Sequence, residues 1–165
     1  SVNDCCHIRP FQQADLPTLQ KIREAAFAPV FASFRKLVGE EIAQVAFAAA
    51  EEEQAALLDK YCAPNSGREV YVAERGGEIA GFCAVALDGK TGIGEIDLNA
   101  VRPDLQGAGI GEALYAFALR RMKEAGMKVA TVGTGGDEAH APARRAYEKA
   151  GFSAAIPSFY YYKLM

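Results

Sequence analysis

Residues 106–111 read Gln106-Gly107-Ala108-Gly109-Ile110-Gly111 and lead straight into an apolar helical pattern that begins at Ile110. Each glycine weakens a helix by roughly 0.5–1 kcal/mol relative to alanine, so three so close together serve backbone shape or close approach, not helix stability. Behind them Ile110, Ala113, Leu114, Phe117, Ala118, Met122 and Ala125 recur at i, i+3, i+4, i+7 spacing, and Gly126 stands where a C-terminal cap belongs. The stretch is therefore a loop that ends at a helix N-terminus, where unpaired N–H groups and about half a positive charge favour an anion, commonly a phosphate. A Walker loop would continue Gly-Lys-Ser/Thr, which is missing here. A dinucleotide fingerprint would need a third glycine where Leu114 stands and an acidic residue about 20 positions on.

The remaining phosphate-binding pattern is Q/R-x-x-G-x-G/A, which Gln106, Gly109 and Gly111 fill. In this loop, and in the Val-x-Pro that precedes it, the chain resembles the GCN5-related N-acetyltransferase (GNAT) superfamily. The opening Ile8-Arg9-Pro10-Phe11 and the following residues are similar to the start of many members. The resemblance implies that Gln106, Gly107, Ala108, Gly109, Ile110, Gly111 and Glu112 hold the pyrophosphate of acetyl-CoA (coenzyme A), and that the main chain at Ala100 and Val101 meets its thioester.

With 165 residues, 50% of them hydrophobic and 24% charged, the chain is expected to form one domain spanning 1–165. A net charge of −3 gives no basic footprint for nucleic acid, and no apolar run approaches membrane-spanning length. Four cysteines without metal-ligand spacing suggest reduced thiols, a cytoplasmic setting and no metal.

In order, the chain is expected to hold a first strand at Cys6–Arg9, then a helix capped by Asp15 that ends near Pro29. A helical region follows from Glu40 to Tyr61, in which Glu51, Glu52 and Glu53 make a solvated face. A hairpin joins Val70–Ala73 to Ile79–Leu87, and another strand covers Gly94–Val101. Helix and strand then alternate: Ile110–Ala125, Lys128–Val132, Pro142–Ala150, and terminal strands near Phe152 and Phe159–Leu164. The sum is an α/β (α+β) fold with a mixed, mostly antiparallel sheet of about 6–7 strands, flanked by about 4 helices, as the GNAT resemblance implies.

The second cluster is His140-Ala141-Pro142-Ala143-Arg144-Arg145-Ala146-Tyr147, continuing to Gly151-Phe152. Ala143, Ala146, Tyr147 and Ala150 form a narrow face of small residues that lets a ligand or backbone come close. The superfamily segment commonly reads N-x-x-A-x-x-x-Y-x-x-x-G-F, so the resemblance sets Tyr147 beside the thiol and His140 at the asparagine position near the pantetheine. Attack of an amine on a thioester needs a donor at the oxygen, an acid at the sulfur and a neutral nucleophile. Tyr147 suits the acid, although a core tyrosine would read the same way.

A lysine-like amine costs about 4.6 kcal/mol to deprotonate at pH 7, so a base is useful. Glu95, Asp97 and Asn99 alternate along one strand and are expected on one face. The resemblance makes Glu95 the first choice of base and Asp97 the second; water and a purely structural strand carboxylate remain open.

Cys83, in an apolar strand, and His7 read as structural. Phe27–Phe34 lies where relatives form the acceptor wall, and Phe159–Tyr162 suits either a strand or an acceptor pocket. The expected reaction is transfer of acetyl from acetyl-CoA to a primary amine, with a small molecule favoured. A protein lysine or N-terminal acceptor and a non-catalytic acyl-CoA-binding module are the alternatives, and a homodimer is compatible with the sequence.

Overall fold

The computed structural model describes residues 5–165. A five-stranded sheet runs in the order β1 (His7–Pro10), β2 (Arg68–Arg75), β3 (Glu78–Asp88), β4 (Ile93–Val101) and β5 (Val129–Val132). The first three pairings are antiparallel and β4–β5 is parallel. One face carries α1 (Leu16–Val38), α2 (Glu40–Ala46) and α3 (Ala50–Cys62); the other carries α4 (Ile110–Glu124) and α5 (Ala141–Lys149). Among the described residues, no helix is long and apolar enough to cross a membrane.

The strands β2 and β3 read as nearly continuous apolar runs because both faces are covered. Val70, Val72, Phe82, Ala84 and Ala100 pack under Leu19, Ile22 and Leu58 of the first face. Cys83, Val85 and Ile96 pack under Ile110, Leu114, Ala118, Met122 and Tyr147 of the second. Cys83 is fully buried, and burial pushes its thiol up to about 12, as suits a structural cysteine.

Four expectations change. The first helix does not end at Pro29 but runs to Val38, with Gly39 as its C-cap. A mid-helix proline removes one hydrogen bond, at a cost of ~3 kcal/mol, and here it is offset by tertiary packing. The Phe27–Phe31, Phe31–Phe34 and Phe34–Phe47 ring centroids lie 6.5, 6.4 and 5.8 Å apart, which ties the second half of α1 to the turn between α2 and α3. Asp15 stands at the N-cap of α1, but its side chain makes no cap bond there; Arg9 takes its carboxylate at 2.8 and 2.9 Å and locks β1 to the start of that helix. The single helical region after Gly39 is broken into α2 and α3 around Phe47–Ala49. Finally, the sheet has five strands and not six or seven: residues 152–165 form no strand, with Phe159, Tyr160 and Tyr161 81, 87 and 92% exposed.

Of the solvated Glu51–Glu53 face, Glu52 and Glu53 are exposed, while Glu51 meets Arg35 at 2.8 Å. Phe82 is the largest fully buried side chain and lies under the α1–α3 layer. Phe82→Ala is expected to cost about 3–5 kcal/mol in urea unfolding, whereas Ile156→Ala, at a 95% exposed position, should leave the midpoint unchanged.

Candidate active site

The register between β3 and β4 shifts by one residue: Val85 pairs with Ile96, but Cys83 pairs with Asn99. The extra residue of β4 lies at Asp97–Leu98 and makes a β-bulge that turns the strand over. Ile96 therefore packs with the α4 side, Leu98 and Ala100 pack with the α1 side, and Asn99 returns to the α4 side. Glu95, Asp97 and Asn99 do not share a face as simple alternation predicts. Glu95 and Asp97 look toward Arg68 and α3, and Asn99 looks the other way.

Beyond the bulge β4 also leaves β5. The two strands pair only through Ile93–Ile96 with Val129–Val132, so Asp97–Val101 has no strand on its β5 side among the described residues. A row of main-chain polar groups, including those of Ala100 and Val101, is thereby left open at the splay.

At the end of β4, a single 3-10 turn (Pro103–Leu105) delivers the chain into residues 106–111. Gly107 and Gly109 have φ of 83° and 86°, a left-handed region that disfavours other residues, and this explains the glycines better than crowding does. Gly109 is the N-cap of α4 but offers no side chain to cap it. The N–H groups of Gly107, Gly109, Ile110, Gly111 and Glu112 have no protein acceptor among the described residues. Together they form a concave set of donors at the positive end of a 15-residue helix, which fits a pyrophosphate. The Cys5 thiol donates to the Gly109 carbonyl at 3.5 Å, bracing the loop from outside.

Tyr147 lies in α5, against α4. The small face of Ala143, Ala146 and Ala150 is turned to this core, so its small residues serve close helix packing. The Tyr147 and Tyr115 rings approach to 4.8 Å. Tyr115 donates to Asn99 Oδ1 at 2.7 Å, and Asn99 Nδ2 donates to the Tyr147 oxygen at 3.2 Å. This relay fixes the amide and leaves the Tyr147 O–H free to donate. Burial raises the Tyr147 pKa despite the opposing hydrogen bonds, so the phenol keeps its proton near neutral pH. Asn99 reads in the sequence only as a face-mate of Glu95 and Asp97, and Tyr115 does not stand out there at all. The i, i+3, i+4, i+7 stripe of Tyr115, Ala118, Leu119 and Met122 held the signal for Tyr115, one residue out of phase with the stripe through Leu114.

On the opposite face Glu95 is exposed, while Asp97 accepts from Arg68 Nε at 2.5 Å. The Glu95 carboxyl is pushed up to about 7, first by hydrogen bonding with Asp97, then by desolvation and the Asp97 charge, with Arg68 opposing. A carboxyl in that range changes protonation where a base for amine chemistry is useful.

His140 sits just before α5. Its Nδ1 bonds to the Asp137 carboxylate, and its ring stacks on Phe34 at 5.7 Å. Asp137 also accepts from Ser33 of α1 at 2.8 Å. The imidazole thus joins the loop after β5 to the aromatic side of α1, with Nε2 as its remaining polar atom. Phe159–Tyr161 is exposed, while the Tyr162 ring reaches Phe47 at 5.7 Å.

Residues 34–152 match the Acetyltransferase (GNAT) family. The chain belongs to that family. Among its curated relatives, a mycothiol acetyltransferase of Streptomyces bingchenggensis is 36% identical over 83 residues, and one of Sanguibacter keddieii is 37% identical over 89. These matches cover 50 and 51% of this chain but 26 and 28% of the relatives, so the chain spans about a quarter of their length. A GNAT-family acetyltransferase of Brucella melitensis, solved in complex with acetyl-CoA, superposes with a TM-score of 0.63 at 26% identity, over 90% of this chain and 83% of that one. A putative GNAT acetyltransferase of Desulfovibrio desulfuricans shares the fold with a TM-score of 0.69 at 24% identity, over 92 and 87% of the two chains.

A Cβ on Gly135 would stand 2.5 Å from His140 Nδ1 and 2.6 Å from Asp137 Oδ1, whereas one on Gly136 would meet nothing within 4 Å. Gly135→Ala is expected to cost about 1–3 kcal/mol by overpacking, read as a lowered melting temperature. Gly136→Ala should leave it unchanged.

Proposed function

We propose that this chain transfers the acetyl group of acetyl-CoA directly to the primary amine of a small-molecule acceptor. The observation that carries the reading is the continuity of β4. Its last residues border the open splay, its end feeds the unpaired N–H cradle, and its Asn99 carries the Tyr147 phenol. The crystallised Brucella relative with acetyl-CoA supports the donor. The relatives named mycothiol acetyltransferases support a small acceptor over a protein one.

In this reading the N–H groups from Gly107 to Glu112 bind the pyrophosphate, with Gln106 and Ala108 shaping the loop. The acyl-pantetheine arm then runs along the β4–β5 splay toward His140. A main-chain N–H at Ala100–Val101 donates to the thioester oxygen, where negative charge develops as the amine attacks. Glu95, with Asp97 behind it, takes the proton of the incoming ammonium through solvent. Tyr147 donates its proton to the departing thiolate, while Asn99 and Tyr115 hold the phenol in place.

The test is thiol release from acetyl-CoA across amines, polyamines, amino acids, aminoglycosides and peptides. Acceptor-dependent release with a small amine is expected. Release with peptides alone would move the assignment to a protein acceptor, and tight binding without any release would make the chain a binding module. Tyr147→Phe should lower kcat by on the order of 10²-fold or more while acetyl-CoA still binds by calorimetry.

The proton-free form of Glu95 is the active one, so kcat/KM should rise with pH and level off above about 7, following the carboxyl. Glu95→Gln should remove that inflection. An unchanged profile would make Glu95 a structural carboxylate.

A further inference from the structure

Two protons leave the acceptor nitrogen when an ammonium becomes an amide. In acetyl transfer as proposed for this chain, on which this inference rests, Glu95 takes one through solvent before attack and Tyr147 gives one to the thiolate. The second proton leaves the nitrogen as the N–C bond forms, and neither residue receives it.

A pair of groups without another task stands beside that step. Strand β5 ends at Val132 opposite Ile96, the last paired residue before the splay, so residues 133–140 begin at its mouth. His140 is the N-cap of α5, seven positions before Tyr147 and so about two turns away on the same face. Helix side chains lean toward the N-terminus, which inclines the phenol toward the imidazole. The imidazole is also stacked on Phe34 of α1, which comes from the other side of the sheet. An amine entering the splay from the α1 side therefore comes in beside His140.

The bonds around His140 are those of a proton acceptor. Burial pushes the Asp137 carboxyl up, but the bonds from His140 and Ser33 outweigh it and hold the carboxyl below its usual range. The ionised carboxylate on Nδ1 calls for a proton there, which leaves the lone pair of the neutral ring on Nε2. Nε2 bonds to no protein group and is open to solvent, since among the described residues no buried side-chain nitrogen or oxygen lacks a partner. Arg144 holds the same turn through the Gly135 and Asp137 carbonyls, at 2.6 and 2.7 Å, and leaves the carboxylate to the imidazole. The positive end of α5 by itself disfavours an imidazolium, and the Asp137 charge offsets it.

We propose that His140 Nε2 takes the second proton of the acceptor nitrogen as the N–C bond forms, with Asp137 stabilising the resulting imidazolium. The C–S bond breaks as Tyr147 protonates the sulfur. The proton on His140 then passes through solvent to the Tyr147 phenolate, which restores both groups. In each turnover one proton goes to bulk water through Glu95 and one ends on the thiol.

The test measures thiol release and acetyl-CoA binding together. His140→Gln keeps a hydrogen-bonding group near the place of Nε2 but accepts no proton, so kcat should fall by on the order of 10²-fold while acetyl-CoA still binds by calorimetry. His140→Ala should regain rate with added imidazoles, and the regained rate should rise with their basicity, which the filling of a hole would not produce. Asp137→Asn keeps a bonding group for Ser33 and the ring but removes the charge; kcat should fall by on the order of tenfold or more, and this variant serves where His140→Ala does not fold. Wild-type kcat in His140→Gln or Asp137→Asn overturns the proposal and leaves the acetyl-transfer reading standing. So does a missing rescue, or one that ignores basicity, in a folded His140→Ala chain, either of which makes the pair a structural strap. A wild-type chain without acceptor-dependent release overturns the reading itself, and the proposal with it.

Discussion

Between Ile96 and Asn99, β4 carries one residue more than the stretch of β3 it faces, and the site hangs on that surplus. In a regular strand, Ile96 and Ala100 would share one face and Asn99 the other. Because the chain turns over at Asp97–Leu98, its first part commits Ile96 to the α4 core and carboxylates to the α1 side. Its last part reverses this, sending Asn99 toward Tyr147. The same deviation carries β4 away from β5 after only four paired residues on each strand. A single strand thereby offers acidic side chains on one face, an amide on the other and free main chain at its edge. A flat sheet could not present all three within five residues.

Local signals made much of this legible. The glycine loop, the helix beginning at Ile110 and the Tyr147 helix all stand where residue spacing and cap chemistry put them, within a residue or two. The failures share a cause, which is that tertiary contacts overrode local preference. Pro29 reads as a helix end, but the packing of Phe31 and Phe34 on Phe27 and Phe47 and the Ser33–Asp137 bond hold the stretch beyond it helical. Asp15 reads as a cap and stands at the N-cap position, but the Arg9 guanidinium and the Gln12 N–H take its carboxylate in place of the helix's own N–H groups. Phe159–Leu164 reads as a strand but pairs with no strand among the described residues, and a strand exists only with a neighbour, which no single-chain pattern reveals. The bulge was hidden for a related reason: one extra residue leaves no mark in a sequence whose neighbours, Ile96 and Leu98, are apolar on either phase.

The phenol illustrates how little chemistry is set by a residue alone. Tyr147 is an ordinary buried tyrosine until Asn99 fixes its oxygen, and Asn99 is oriented by Tyr115 donating to its Oδ1 and by its own Nδ2 donating to the Asp97 carbonyl. Two of these three side chains are invisible to motif reading, since their roles come from helix packing at 4.8 Å and from the phase change in β4.

The bond chain from Ser33 through Asp137 to His140, with Phe34 stacked on the imidazole, has an evolutionary consequence. It fastens the aromatic stretch of α1 to the turn that positions α5, so the two sides of the site are not separate modules. A lineage that changes residues 33–34 would disturb the turn ahead of α5, and with it the helix that carries Tyr147, at the same time. Change in this stretch should therefore be tolerated more readily at Phe27 and Phe31, which lie outside that bond chain, than at Ser33 and Phe34.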